Sequence, residues 1–180
     1  MHLKEDTIKS ELIFDGKVVK LYKDEALLEN GCTVSRELIK HPGGVCVLPL
    51  DENGDVYLVR QFRYPFQTQL IEIPAGKLEP GEDHRECGLR ELKEEAGAEC
   101  KEFTYLGKLY PTVAYDSEVI HMYLAEGLSF GEQHLDDDEF LDVFKVPFSE
   151  AVRMVMDGEI LDSKTQLAIL KAKVLLDARK

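Results

Sequence analysis

Apolar and polar positions alternate along Val18–Leu28 and Thr33–Ile39, and the turn pairs Asp15-Gly16 and Asn30-Gly31 bracket these runs. A period of two between such turns predicts strands, so residues 11–39 read as an antiparallel arm. Denser apolar runs at Val45–Leu50 and Val56–Phe62 flank Asp51-Glu52-Asn53-Gly54 and predict a hairpin. Leu70–Ile73 predicts a short strand that delivers the chain to Pro74-Ala75-Gly76. Strand patterns return at Phe103–Tyr110, Val119–Ala125 and Val143–Val146. Between them a helix is predicted from near Asp83 to Ala96, with Gly97 as its left-handed cap. Gly88 is a defect inside that helix, costing about 1 kcal/mol relative to alanine, and a close approach of neighbouring backbone is the expected reason. Helices at Ser149–Met156 and Lys164–Ala178, the second capped by Ser163, close the chain. Strands with interspersed helices predict an α+β sandwich.

The central helix carries the chemistry. Positions three and four apart on a helix are neighbours, so Glu91, Glu94 and Glu95 share one face. Three carboxylates so placed repel each other, and a hard divalent cation such as Mg²⁺ or Mn²⁺ would relieve them. Glu91 and Glu95, one turn apart, are the expected direct ligands, and Glu94 a second or shared one.

Charge and composition narrow the function. A formal charge of −13 over 180 residues argues against nucleic acid or an anionic membrane as partner. It would also repel a polyphosphate substrate unless cations masked the acidic face, which strengthens the metal reading. No apolar run approaches the roughly 20 residues of a membrane span, and the N-terminus lacks the order of a secretory signal. Cys32, Cys46, Cys87 and Cys100 show no paired spacing and are expected to be free thiols in a cytoplasmic enzyme. The five histidines are scattered, which speaks against a histidine-rich zinc site.

Gly76, Glu82, Arg90, Glu91, Leu92, Glu94, Glu95, Gly97 and Ala98 stand in the order Gly, five residues, Glu, seven residues, Arg-Glu, apolar, any, Glu-Glu, any, Gly, apolar. In this the chain resembles the Nudix hydrolases; only Ala98 is smaller than the apolar residue usual there. The resemblance implies an α/β/α sandwich with a mixed sheet, the signature forming loop–helix–loop, and hydrolysis of a nucleoside diphosphate linked to another group. It implies a metal set of Ala75 (through its carbonyl), Glu91 and Glu95, with Arg90 and Glu82 bracing the loop. Beyond the signature, Ser35-Arg36-Glu37, Arg60-Gln61-Phe62-Arg63, Glu72-Ile73-Pro74-Ala75-Gly76, Ser117-Glu118-Val119-Ile120-His121 and Asp136-Asp137-Asp138-Glu139 are similar to the ADP-ribose pyrophosphatase branch.

That branch implies a metal contact from Glu139 and a general base at Asp137, one carbon shorter than the glutamate typical there. Glu94, Asp137 and Glu139 thus form the expected catalytic set. Substrate contacts are expected from Arg36, Glu37, Arg63 and Lys77, with Arg60 on the face of Arg63, and a guanidinium at Arg63 could hold a diphosphate bidentately. Phe62, Tyr110 and Tyr115 could stack on a base, though aromatics in strand patterns more often enter a core. The branch also implies a homodimer through residues 1–40, leaving 41–180 as the hydrolase domain, with Arg36 and Glu37 reaching the nucleotide of the second subunit. One stretch departs from the branch: Tyr110-Pro111-Thr112-Val113-Ala114-Tyr115 has no glycine where a Ser-Pro-Gly turn is usual. ADP-ribose split to AMP and ribose 5-phosphate is therefore the leading expectation. Another nucleotide sugar, such as GDP-mannose or ADP-glucose, stands as the alternative, and a catalytically silent nucleotide-binding module as the reading from another class.

Overall fold

The computed structural model describes residues 3–135 and 139–179. They divide into two compact units, one holding the described residues up to Gly43 together with Tyr110–Val119, the other Gly44–Leu109 with the described residues from Ile120 onward. Residues 110–119 thus fold with the N-terminal arm, an assignment that a single cut near residue 40 does not capture.

The first unit is a three-stranded antiparallel meander of β1 (Asp6–Asp15), β2 (Lys20–Leu27) and β3 (Thr33–Lys40). Its turns fall at the predicted Asp15-Gly16 and Asn30-Gly31. The first strand begins five residues earlier than expected, at Asp6, because its fully exposed residues carry no apolar alternation to read. Residues 110–119 join it through Ile39, whose N–H donates to the Tyr115 carbonyl at 2.7 Å and whose carbonyl accepts from Ser117 N–H at 3.0 Å.

The second unit is built on a seven-stranded mixed sheet containing β4 (Gly44–Leu50), β5 (Asp55–Arg63), β6 (Thr68–Glu72), β7 (Ala75–Lys77), β9 (Glu102–Leu109), β10 (Ile120–Glu126) and β12 (Leu141–Pro147). A two-stranded ribbon pairs β8 (Ala98–Glu99) with β11 (Ser129–Phe130). The β4–β10 pair is parallel and the other pairs are antiparallel. Helix α1 (His84–Ala96) lies on one face, and α2 (Phe148–Met156) and α3 (Ser163–Asp177) on the other.

Period-two geometry explains why β4 is buried throughout. Val45 and Val47 pack with Cys87 and Leu92 of α1, whereas Cys46, Leu48 and Leu50 pack with Ala151, Met154, Ala168 and Ile169 of α2 and α3. Strand β10 divides in the same way, with Tyr123 and Ala125 on the α1 side and Met122 and Leu124 on the other. This is the expected α/β/α sandwich.

Three local expectations are corrected. Helix α3 is capped by Asp162, not Ser163: the Asp162 carboxylate accepts from the Thr165 N–H at 2.9 Å, and Ser163 is the first helical residue. A Cβ on Gly88 would stand 2.9 Å from Phe103 Cζ and 2.9 Å from Val45 Cγ1, so side chains rather than backbone press on that position. Phe62, Tyr110 and Tyr115 are each about half exposed and lie outside both cores. All four cysteines are free, as expected. Among the described residues no helix is long and apolar enough to cross a membrane.

Candidate active site

The signature forms a loop and a helix held against each other. Strand β7 brings Gly76 beside Val45 of β4, and residues 78–83 turn the chain into α1. Asp83 opens the helix by accepting from the Arg85 N–H at 2.8 Å. Gly97 closes it at φ 60°, with its N–H donating to the Lys93 carbonyl at 3.0 Å. Of the three carboxylates, Glu91 and Glu95 turn inward and are buried, while Glu94 is half-buried.

Glu95 Oε2 accepts from the Ala75 N–H at 2.8 Å. Glu91 lies directly over Gly76, where any Cβ would overlap its carboxylate. The backbone at Gly76 has no positive φ, so space for Glu91, not backbone conformation, is what demands glycine there.

Arg90 is the brace that the resemblance implies. Its Nε donates to Glu82 at 3.0 Å, its Nη1 to Glu91 at 2.7 Å and to Glu94 at 2.9 Å, and its Nη2 to the Lys77 carbonyl at 3.4 Å. One guanidinium so ties the loop, through Glu82 and the Lys77 carbonyl, to two acids of the helix face, Glu91 and Glu94. Glu82, bonded to Arg90 and to the Glu79 N–H, is held down at about 2.

The inward pair behaves oppositely. Burial pushes Glu95 up to about 8, with Glu91 and Glu139 adding repulsion against the relief from Ala75. Burial likewise pushes Glu91 up to about 6, although Arg90 opposes it. These are buried oxygen donors whose charged forms Arg90 and the Ala75 N–H compensate only in part, and a hard divalent cation supplies the rest. The donor set fits such an ion, although among the described residues no three His, Cys, Asp or Glu side chains already converge on one point.

Glu139 is exposed, and its charge adds to the repulsion felt by Glu91 and Glu95. Asp137 lies outside the described residues. The segment before it is fastened to the end of α1: Gly131 N–H donates to the Gly97 carbonyl at 2.7 Å, Gln133 Nε2 to the Glu95 carbonyl at 2.6 Å, and His134 N–H to the Glu94 carbonyl at 3.0 Å. Sequence reasoning did not single out Gln133, which reads as one polar residue among several.

The expected substrate contacts are less gathered. Lys77 is exposed, next to Gly76. Arg63 is held by Glu72 through Nε at 2.5 Å and Nη2 at 2.6 Å. Arg60 does not share its face: three residues along a strand reverse the side, and Arg60 instead lies 5.0 Å over the Phe144 ring. Arg36 and Glu37 belong to the other unit, where Arg36 is engaged by Glu5 at 2.8 and 2.9 Å. Glu72, 1% exposed, and Lys164, 8% exposed, form a buried ion pair that the sequence reading passed over. A lone glutamate in the apolar stretch Leu70–Ile73 was the available signal.

Comparison with known proteins decides the family: the NUDIX domain model matches residues 40–165. The chain belongs to the NUDIX domain family. This Nudix chain is 43% identical, over 99% of its length and 98% of the relative's, to an ADP-ribose pyrophosphatase of Bacillus subtilis (strain 168). It is 44% identical, over 92% of its length and 91% of the relative's, to a methanol dehydrogenase activator of Bacillus methanolicus. A GDP-mannose pyrophosphatase of Yersinia enterocolitica is 32% identical over 97% of each chain. A solved structure of an ADP compounds hydrolase superposes with a TM-score of 0.86, covering 98% of this chain and 96% of the other; at 20% identity it supports the fold alone.

Proposed function

We propose that this Nudix protein hydrolyses the pyrophosphate bond of ADP-ribose, in the presence of Mg²⁺ or Mn²⁺, to AMP and ribose 5-phosphate. The single observation that carries the reading is the inward pair Glu91–Glu95, buried against Gly76 and Ala75 with carboxyl groups pushed up to about 6 and about 8. Glu91, Glu95, Glu139 and the Ala75 carbonyl would hold the cation, with Glu94 as a second or shared ligand. A divalent ion, when bound, supplies charge screening and a more acidic water.

The rest falls to the chain's own groups. Arg63 and Lys77 neutralise diphosphate oxygens, and Asp137 takes the proton from the attacking water. Gly131, Gln133 and His134, bonded to the carbonyls of Gly97, Glu95 and Glu94, hold residues 131–134 against the end of α1. A homodimer accompanies this reading: exposed Ile8, Leu12, Ile13 and Phe14 on β1 give the arm an apolar surface for a second copy, where Arg36 and Glu37 would meet the partner's nucleotide. The four free thiols agree with a cytoplasmic setting.

Identity to an ADP-ribose pyrophosphatase over nearly the whole chain supports the substrate. The likeness to a GDP-mannose pyrophosphatase and the glycine-free Tyr110–Tyr115 stretch keep a second nucleotide sugar in view. Retention of Glu91, Glu94 and Glu95 speaks against a silent binding module. The test is phosphatase-coupled phosphate release from ADP-ribose, ADP-glucose, GDP-mannose and NADH with Mg²⁺ or Mn²⁺. The highest kcat/KM is expected on ADP-ribose. A maximum on GDP-mannose would reject that substrate, and tight ADP-ribose binding without turnover would reject hydrolysis.

A further inference from the structure

The stretch Glu72–Gly76 faces two ways. Its far end serves the acidic helix, Ala75 bonding Glu95 and Gly76 making room for Glu91. Its near end is the buried Glu72, which grips Arg63 with both oxygens and meets Lys164 with one of them. Lys164 is also 3.1 Å from Asp162, so two cations balance two carboxylates in this network. Helix α3 is pinned to the same spot a second time, because the Ile73 N–H donates to Thr165 Oγ1 at 2.9 Å. Among the described residues no buried side-chain nitrogen or oxygen lacks a partner.

A network like this is a poor source of stability. Replacing a buried ion pair by apolar residues of similar size is often neutral or stabilising. What it does provide is direction. Arg63 is the most exposed member of the network, with 38% of its side chain exposed, while Glu72 beneath it has 1%. The fork uses Nε and Nη2, so the outer edge bearing Nη1 is the one a ligand meets. Glu72, which holds Arg63, and Ala75, which bonds Glu95, are three residues apart in one stretch, so the same short backbone seats both the cation and the acidic pair.

We propose that Glu72, seated on Lys164, is a positioning residue that aims Arg63 at the substrate's diphosphate while Glu91 and Glu95 face the same group. This rests on the diphosphate reading given above. The test compares Arg63→Ala, Glu72→Gln, the charge-balanced double variant Glu72→Gln/Lys164→Met, and Arg63→Ala/Glu72→Gln, each checked for folding by circular dichroism. For Glu72→Gln and for the double variant, KM for ADP-ribose should rise about tenfold, the scale of one charged hydrogen bond, with kcat and the Mg²⁺ dependence little changed. Arg63→Ala should show the same defect, and adding Glu72→Gln to it should cost nothing further. A normal KM in the folded double variant, or losses that simply multiply, would overturn the proposal.

A readout without substrate separates the two ideas. In ¹⁵N-arginine-labelled protein the Arg63 Nε–H should exchange slowly in the wild type and fast in Glu72→Gln. Fast exchange in the wild type would overturn the anchoring. Slow exchange together with no hydrolysis of any nucleotide sugar would reject the diphosphate reading while supporting Glu72 as the anchor of Arg63.

Discussion

Glu95 and Ala75 are joined by one hydrogen bond of 2.8 Å, from the backbone N–H at the start of β7 to a carboxyl group on a residue that is 3% exposed. That bond fixes the helix to the loop and also leaves one oxygen of Glu95 for a cation. The Glu95→Gln variant keeps the shape and an acceptor for the Ala75 N–H but removes the charge. Turnover should fall more than about 100-fold, beyond the usual cost of losing a residue that merely supports a metal ligand. The melting temperature without metal should not drop at pH 8.5, where Glu95 carries a buried charge that glutamine lacks. Near-normal rates in a steady-state assay would take Glu95 out of the ligand set.

The same burial predicts how pH acts on the metal-free protein. Glu95 and Glu91 sit at about 8 and about 6 against an ordinary 4.5, so the fold favours their protonated forms. The stability they contribute is full below 4.5 and is lost as pH rises through 6 and then 8. Glu82, at about 2, runs the other way, but its contribution is lost only as pH falls below 4.5. Calorimetry in a chelator should therefore show the melting temperature declining from pH 5 to pH 8.5. Millimolar Mg²⁺ should raise it more at pH 8 than at pH 5, and Glu95→Gln should flatten both trends. A melting temperature that climbs steadily over this range without metal would contradict the assignment.

Two glycines of the signature region should fail in different ways. At Gly76 an added methyl displaces the Glu91 carboxylate, so Gly76→Ala should lose about 10- to 100-fold in activity or metal affinity. At Gly88 the methyl meets Phe103 and Val45 at 2.9 Å. Overpacking costs about 1–3 kcal/mol, and better helix propensity returns about 1 kcal/mol. Gly88→Ala should thus be less stable by about 1 kcal/mol in urea titration, with kcat/KM nearly unchanged. Equal activity losses in the two variants would defeat this distinction.

Glu139 is exposed, and its charge acts on Glu91 and Glu95. Glu139→Gln should weaken Mg²⁺ activation by about 10-fold or more without altering the melting temperature of the free protein. Asp137→Asn should lower kcat more than it raises KM, as the loss of a general base does. Were kcat unchanged, the base would have to be sought elsewhere.

Much of this site was legible because its demands are local. The helix over Glu91–Glu95 follows from 3.6-residue periodicity, and Gly97 from the left-handed turn it makes. The strand pairs around Asp51–Gly54 follow from alternation and turn chemistry. Strand β1 was read short because an exposed strand has no apolar face to announce it. The Ser163 assignment went to the nearest hydroxyl, whereas Asp162 is the residue with an extended backbone and a carboxylate within reach of Thr165. Glu72 and Lys164 were missed for a different reason: 92 residues separate them, and no local pattern encodes a partner so distant. Arg63 looked free for substrate in the sequence, and only its neighbour on β6, Glu72, shows that it is held.

Strand β4 carries a last consequence. Since its odd-numbered valines seat α1 and its even-numbered residues seat α2 and α3, one codon inserted near Gly44 would trade the two sets of tenants. Val45 and Val47 would be handed to the α2–α3 side and Cys46 and Leu48 to α1, and Gly76, in register with Val45, would lose its place under Glu91. Frame-preserving substitutions in this strand should be tolerated far better than any change in its length.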